Sequence, residues 1–213
     1  MGAGRSGVLL EIVQVGDPVL RRRALPLAPE DIVKPFVQEL ITSMRETMRR
    51  ASGVGLAAPQ VDESLQVVVI EDRPEVLATM SEARLVQLGR REIPFQVLVN
   101  PSLEVLGEDT DEFFEGCLSV TGFQALVQRW REVRVRALNE RGQPVEIHVS
   151  GWPARILQHE VDHLTGRLYV DRMDPRSFTT TANLGRFWKA RPAGEVRMSV
   201  SRGGDDDLPG SSA

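Results

Sequence analysis

The sequence predicts an α+β fold, in which antiparallel strands pack around a central helix and a long N-terminal helix lies beside them. Three observations support this prediction. Apolar residues recur at helical spacing between Pro29 and Gly53, and a second helical pattern runs from Trp152 to Leu164. Between them, residues 103–149 show several short strand patterns separated by turns. Strands and helices mixed in this way are typical of α+β domains.

The long N-terminal helix is predicted from a stripe of apolar side chains at a spacing of four residues. Acidic residues stand at its beginning and two arginines at its end, as the helix dipole favours. We expect the helix to end before Gly53, because two glycines and a proline in residues 53–60 are typical of a shaped loop. The stripe comprises Ile32, Phe36, Leu40, Met44 and Met48.

Two further strands are predicted at residues 66–70 and 95–99, on either side of a charged segment. That segment, residues 71–94, is helix-prone in places, and we interpret it as an excursion from the core without an assigned function. The second helix, Trp152 to Leu164, is the predicted central helix, and Thr165-Gly166 is its predicted C-cap.

The chain of 213 residues is long enough for one well-buried domain. We expect this domain to occupy residues 11–190. Residues 1–10 are predicted to be a flexible N-terminus, and residues 191–213, rich in acidic residues, glycine and serine, a disordered tail.

Composition excludes several classes of function. The net charge of −4 argues against a protein that recognises nucleic acid through a basic surface. No apolar run approaches the roughly 20 residues that a membrane-spanning helix needs, so we expect no membrane association. The single cysteine, Cys117, cannot form an intrachain disulfide, which fits a reducing compartment. We expect a cytoplasmic location, with a mature organellar form as the alternative.

The segment from Gln158 to His163 contains the pattern H-E-x-x-H. On a helix, His159 and His163 lie one turn apart on the same face and can direct imidazole nitrogens at one divalent metal ion. Glu160 stands beside them, where it can transfer a proton. The pattern therefore predicts metal-dependent hydrolysis.

A catalytic metal site usually has three protein ligands and one position for water. Downstream of the motif, Asp171 and Asp174 are the nearest candidates for the third ligand. Upstream, the thiolate of Cys117 would complete a Cys/His/His site, and Gly116 would let the backbone approach the metal closely.

Three sequence blocks in this order resemble the peptide deformylase family, the metal hydrolases that remove the formyl group from the N-terminal methionine of new proteins. Weaker similarity extends over most of the chain. The blocks are Gly53-Val54-Gly55-Leu56-Ala57-Ala58-Pro59-Gln60, Glu115-Gly116-Cys117-Leu118-Ser119 and Gln158-His159-Glu160-Val161-Asp162-His163-Leu164.

The resemblance implies a role for each matching residue. Cys117, His159 and His163 match the metal ligands, and Glu160 matches the general base and acid. The implied nucleophile is a metal-bound water, whose lowered pKa lets Glu160 accept its proton near neutral pH.

Further matches concern the oxyanion and the substrate. Gln60 matches a side-chain amide that stabilises the oxyanion, and Leu118 is expected to contribute its backbone N–H to the same oxyanion hole. The residues that match the family's substrate-binding positions are Val54, Gly55 and Gly116 along the substrate's path, and Ile156 at the wall of the methionine pocket.

The resemblance also implies a cofactor and partners. Ferrous iron (Fe2+) is the implied native ion, with Zn2+, Ni2+ or Co2+ as substitutes; the ligand types alone would suit zinc equally well. Nascent N-formylmethionyl polypeptides are the implied partners, with the ribosome as a further candidate. Thr121 and Gln128 stand where family members frequently carry proline, which concerns loop stiffness and not the ligands.

Two alternative functions remain open at this point. A general zinc endopeptidase would need a third ligand downstream of His163 and a groove for both sides of the scissile bond. A non-catalytic peptide-binding relative would be expected to lack a ligand or the base, whereas Cys117, Glu160 and Gln60 are all present.

Overall fold

A six-stranded antiparallel sheet is the framework of the computed structural model, which describes residues 7–201. The strands are β1 (Gly55–Ala57), β2 (Val67–Asp72), β3 (Ile93–Cys117), β4 (Val120–Leu138), β5 (Pro144–Ser150) and β6 (Thr179–Thr180). They lie in the order β1-β2-β3-β4-β5, and β6 pairs with β4. The predicted combination of helices with an antiparallel sheet is therefore confirmed.

The helices lie on both faces of the sheet and in its connections. They are α1 (Pro29–Ile32), α2 (Pro35–Arg50), α3 (Pro74–Leu77), α4 (Glu82–Leu88), α5 (Trp152–Leu164), α6 (Thr181–Asn183) and α7 (Ala193–Ser201), with a π-helical turn at Leu184–Trp188. Short 3-10 turns occupy Pro18–Arg21, Ala58–Val61, Tyr169–Asp171 and Pro175–Ser177.

The predicted N-terminal helix is interrupted at its beginning. Pro35 has no N–H to donate to the preceding turn, so the chain starts a new helix there instead of continuing α1. As a result Phe36 leaves the predicted apolar stripe and is 56% exposed, whereas Leu40, Met44 and Met48 are buried.

Strand β2 is buried on both faces and explains how the two main helices are placed. Val68 and Ile70 pack in the cluster that contains residues of α5, while Val67 and Val69 pack in the cluster that contains residues of α2. Because side chains alternate along a strand, an uninterrupted apolar run can serve two helices at once. Helices α5 and α2 therefore pack against opposite faces of the sheet.

The prediction of several short strands between residues 103 and 149 is wrong in its lengths. The structure instead has two long strands, β3 of 25 residues and β4 of 19, paired over most of their length. Register shifts at Val99/Ser102, Leu106/Thr110 and Gly116/Cys117 bend the pair. Turn-forming residues at these irregularities therefore look like strand ends in the sequence.

The boundaries of α5 follow from local chemistry. Pro153 occupies the first turn, where its missing N–H costs nothing. At the other end Gly166 has φ +74°, a conformation that glycine adopts without steric cost, directly after Thr165. This agrees with the C-cap predicted at Thr165-Gly166.

The predicted termini differ in part from the structure. Residues 193–201 form α7, although a disordered tail was predicted from residue 191; buried Val196 and an ion pair between Arg197 and Glu112 hold this helix. At the other end, Leu10 donates a backbone hydrogen bond to Thr47 Oγ1 at 2.9 Å. The rest of both predictions, residues 1–6 and 202–213, lies outside the described residues. Within residues 7–201, no helix combines the length and apolarity needed to cross a bilayer.

Candidate active site

Three potential metal ligands meet where the end of β3 faces α5. Cys117 is the last residue of β3, and His159 and His163 lie one turn apart on α5. Their ligand atoms all lie within 4.8 Å of one another, and Cys117 Sγ is 3.3 Å from His163 Nε2. The fold thus brings together residues that are more than 40 positions apart in the sequence.

This cluster fits a tetrahedral metal ion. Metal–ligand bonds of about 2.3 Å to sulfur and about 2.0 Å to nitrogen place those two atoms about 3.5 Å apart at a tetrahedral angle. The observed Sγ–Nε2 distance of 3.3 Å is close to that value. The Nδ1 atom of His159 lies 3.1 Å from Glu115 Oε2, which leaves Nε2 as the ring nitrogen that can bind a metal ion.

The protonation of the two imidazoles reflects their surroundings. Burial opposes a charge on His159, but its hydrogen bonds to Cys117 and Glu115 outweigh burial and raise its pKa. Burial lowers the pKa of His163, helped by the positive charge of His159. A bound dication would displace the proton of His159, because imidazole coordinates a metal in its neutral form.

Glu160 is buried beside the cluster. It is 4% exposed, and its Oε2 atom has no hydrogen-bond partner within residues 7–201. Burial raises its pKa to about 7, whereas a nearby dication would favour the carboxylate. A Cβ atom at Gly55 would lie 2.6 Å from Glu160 Cδ and 2.8 Å from Cγ. Only glycine therefore allows β1 to pass so close to this carboxyl group.

Two hydrogen-bond donors lie near the sulfur. The Oε1 atom of Gln60 accepts from Ala57 N at 2.9 Å, which fixes the amide so that its Nε2 faces Ser119 Oγ at 3.2 Å and Cys117 Sγ at 3.5 Å. Gln60 is 2% exposed. The backbone N–H of Leu118 donates no hydrogen bond to another of the described residues.

A buried network of charges supports the histidine-bearing helix. Arg129 donates to both carboxylate oxygens of Glu115, at 3.0 and 2.9 Å, and to Asp162 on α5 at 2.5 Å. Arg155, a second cation, donates a hydrogen bond from Nη1 to Glu115 Oε1 at 2.5 Å. Burial would raise the pKa of Glu115, but the hydrogen bond from His159 and the charge of Arg129 hold it well below its usual range. Glu115 is therefore ionised and can orient the His159 ring.

The cluster opens into a cavity of about 380 Å³. Nine of the ten site residues predicted from the sequence line it, namely Val54, Gly55, Gln60, Gly116, Cys117, Leu118, Ile156, His159 and Glu160. The tenth, His163, is buried beside Cys117.

No role was predicted for Glu115 from the sequence, although its spacing from Cys117 places it at the same site. Glu115 and Cys117 are two residues apart on one strand, so their side chains point to the same face. Trp152 and Arg155 also line the cavity and were not singled out as site residues. They lie two turns and one turn, respectively, before His159 on the same helix, a spacing that could have indicated them.

The alternative ligands have other partners in the structure. Asp171 accepts from Arg21 Nη1 and from the backbone N–H of Leu168, and Asp174 accepts from the backbone N–H of Arg176. His148, the one histidine of the chain outside the H-E-x-x-H pattern, is exposed and lies 2.6 Å from Glu132 Oε1. None of the three belongs to the ligand cluster found within residues 7–201.

An α+β framework with a partly buried Cys/His/His donor set and an adjacent carboxyl group has the arrangement of a mononuclear metallohydrolase. The family model of polypeptide deformylases matches residues 9–178 of the chain. The chain therefore belongs to the polypeptide deformylase family.

Individual relatives agree with this assignment. Peptide deformylase 1 of Streptomyces coelicolor is 49% identical over 179 residues, which cover 84% of this chain and 80% of the relative. Peptide deformylase 1A, chloroplastic/mitochondrial, of Arabidopsis thaliana is 46% identical over 176 residues, which cover 83% of this chain but only 65% of the longer plant protein. A Met-Ala-Ser-bound class I type b peptide deformylase from Acinetobacter baumannii has a similar structure, with a TM-score of 0.69 and 33% identity over 78% of this chain and 99% of that one.

Proposed function

We propose that the protein is a metal-dependent hydrolase that removes the formyl group from the N-terminal formylmethionine of newly synthesised polypeptides. Water adds across the formamide C–N bond, which yields formate and a free N-terminal amine. The observation that carries this proposal is the cluster of Cys117, His159 and His163 with Glu160 beside it at one cavity. Membership of the polypeptide deformylase family supports the same reaction.

Cys117, His159 and His163 would hold one divalent transition metal ion. When bound, such an ion lowers the pKa of water and polarises the oxygen of the formyl group. We propose Fe2+ as the native ion, on the family resemblance, with Zn2+, Ni2+ and Co2+ as substitutes that the same ligand types accept. A thiolate ligand to iron makes the site sensitive to oxygen, so activity is expected to survive best under anaerobic conditions.

Glu160 is proposed to accept a proton from the attacking water and to deliver it to the leaving amine. Two features support this role: its Oε2 atom has no partner within residues 7–201, and it shares the cavity with His159. Burial between α5 and Gly55 keeps the carboxyl group in one place, as a proton-transfer group requires.

Gln60 and Leu118 are proposed to stabilise the negative charge that develops on the formyl oxygen. The amide of Gln60 is fixed by its hydrogen bond from Ala57 N, so its NH2 group is held beside Cys117 and can exchange its long 3.5 Å contact with the sulfur for a hydrogen bond to that oxygen. Leu118 lines the same cavity, and its backbone N–H has no partner in the described chain.

The polypeptide substrate is proposed to bind as an added strand along β1. This strand lies at the end of the sheet and pairs only with β2 among the described strands, so its other edge can accept a peptide backbone. Val54, Gly55 and Gly116 line the cavity on this path. Ile156, buried on α5, is proposed as the wall of the methionine pocket.

The proposed partners are nascent chains that still carry formylmethionine, with the ribosome as a further candidate. We propose a cytoplasmic setting for this reaction. A chloroplastic or mitochondrial one is the alternative that the name of the Arabidopsis relative suggests.

The direct test is formate release from formyl-Met-Ala-Ser by protein that was purified anaerobically and analysed for metal. We expect turnover that chelation abolishes and Fe2+ restores. In Glu160→Ala we expect the metal content to be kept and kcat to fall by about 10²–10⁴-fold, the usual contribution of a proton-transfer group. Cleavage of casein without formate release would contradict the proposal, and unchanged turnover in Glu160→Ala would exclude that residue as the base.

A further inference from the structure

A second cavity, of about 510 Å³, continues the active-site cavity. We call it the downstream groove. It is bounded by Ser81, Arg84, Trp188, Lys189 and Arg191, together with the residues that it shares with the first cavity. The shared lining residues are Arg90, Phe114, Gln124, Trp152 and Thr181. A chain that leaves the active-site cavity on this side must therefore enter the groove.

The two walls of the downstream groove come from segments that the sequence left without a function. One wall is α4 with the turn before it, which lies in the excursion at residues 71–94. The other wall is the segment from Thr181 to Ala193. The latter segment lies beyond residues 9–178, the part that the family model matches, so its contribution belongs to this chain's own C-terminal segment.

Contacts at both ends hold the C-terminal wall in place. Before it, β6 pairs with β4, and Phe178 stacks on Phe123 with ring centroids 4.9 Å apart. After it, Val196 is fully buried, and Arg176 Nε donates to Val200 O at 2.7 Å. The groove is thus a built feature of the fold, with packed and hydrogen-bonded supports on either side.

The downstream groove carries positive charge. Four cationic residues and no acidic residue line it. Arg90 is neutralised by Asp72 at 2.6 Å, whereas Arg84, Lys189 and Arg191 form no ion pair with any residue in 7–201. Trp188 lies under the guanidinium of Arg191, 5.5 Å from the ring centroid, and adds an apolar surface. The groove therefore combines three available cations with aromatic rings.

We propose that the downstream groove binds the part of the polypeptide substrate that follows its first few residues, and that it favours acidic side chains there. This inference rests on the proposed function, since it assigns the groove to the same substrate. The continuity of the two cavities favours this occupant, because an extended chain advances about 3.3 Å per residue and passes from one cavity into the other within a few residues. The excess of cations sets the preference for acidic side chains.

The test compares four peptides with the metal-loaded full chain. They are formyl-Met-Ala-Ser alone and the same tripeptide followed by four Asp, four Asn or four Lys residues. Each exposed ion pair is worth a factor of about 1.4 to 5, so three cations predict a kcat/KM about 3- to 125-fold higher for the Asp peptide than for the Asn peptide at low salt. The difference should vanish near 1 M salt, where the Debye length falls to about 3 Å.

Two double variants separate the groove from the overall charge. In Lys189→Glu/Arg191→Glu the order should reverse, so that the Lys peptide is preferred over the Asp peptide. Arg22→Glu/Arg23→Glu makes the same change in net charge at exposed positions that line neither cavity, and it should keep the wild-type order.

Equal kcat/KM for the Asp, Asn and Lys peptides would overturn the inference, as would a preference that both double variants change equally. Binding of single-stranded RNA that only Lys189→Glu/Arg191→Glu abolishes, with no peptide preference, would assign the groove to nucleic acid and also overturn it. Turnover of the bare tripeptide tests the proposed function separately. A failure of the groove is therefore distinguishable from a failure of the deformylase reaction.

Discussion

Replacing Gly55 by alanine tests the placement of Glu160 directly. The added Cβ would lie 2.6 Å from Glu160 Cδ, whereas carbon atoms in contact are normally about 3.5–4.0 Å apart. The carboxyl group must therefore retreat by roughly 1 Å, since the backbone of β1 is held by its pairing with β2. A displacement of about 1 Å in a catalytic group can lower a rate by about 10²-fold.

We expect Gly55→Ala to lower kcat for formyl-Met-Ala-Ser by about 10²-fold while the metal content stays the same. A double-mutant cycle shows whether the loss acts through Glu160. In a Glu160→Ala background the carboxyl group is gone, so adding Gly55→Ala should change kcat by less than about threefold. Gly194→Ala is the matched control, because a Cβ there meets no atom within 4 Å. An unchanged kcat in Gly55→Ala, or full additivity in the cycle, would refute this reasoning.

Further predictions concern the buried charges, the oxyanion and the metal. Arg129→Met should lower the free energy of unfolding by about 3 kcal/mol in urea denaturation of the metal-loaded protein. Breaking a buried pair costs about 3–5 kcal/mol, and the low end applies because Glu115 and Asp162 each keep another arginine; a loss below about 1 kcal/mol would contradict the network's importance. Gln60→Ala should lower kcat by about 10²–10³-fold with the metal retained, and a loss under tenfold would remove Gln60 from the oxyanion hole. Substituting Zn2+ or Ni2+ for Fe2+ should keep formate release measurable, and activity from only one ion would contradict the proposed tolerance.

The parts of the fold that local patterns determine were predictable from the sequence. Helical spacing indicated α2 and α5, and the i, i+4 spacing placed His159 and His163 on one face of α5. The structure also brings Cys117 into reach of both histidines. The catalytic roles of these residues stay predictions that the experiments above address.

Other features depend on distant contacts that a local pattern does not contain. The long pairing of β3 with β4 is decided by residues opposite one another across the ribbon. Asp162 looks like a surface residue within H-E-x-x-H, but Arg129 and Arg172 neutralise it at a position only 7% exposed. Periodicity reports which side chains are apolar, and it does not report which charged side chains find a buried partner.

The alternation of side chains near the end of β3 makes the centre intolerant of small insertions. Glu115 and Cys117 both face α5, one touching His159 and the other completing the ligand cluster, while Gly116 between them lines the open cavity. Slippage of this strand by a single residue would turn the sulfur and the orienting carboxylate outward together and would bring a residue without a side chain to the histidines. Insertion or deletion of one residue just before Glu115 should therefore abolish metal retention. Changes of length in the connection between α3 and α4 should leave Cys117 facing the histidines.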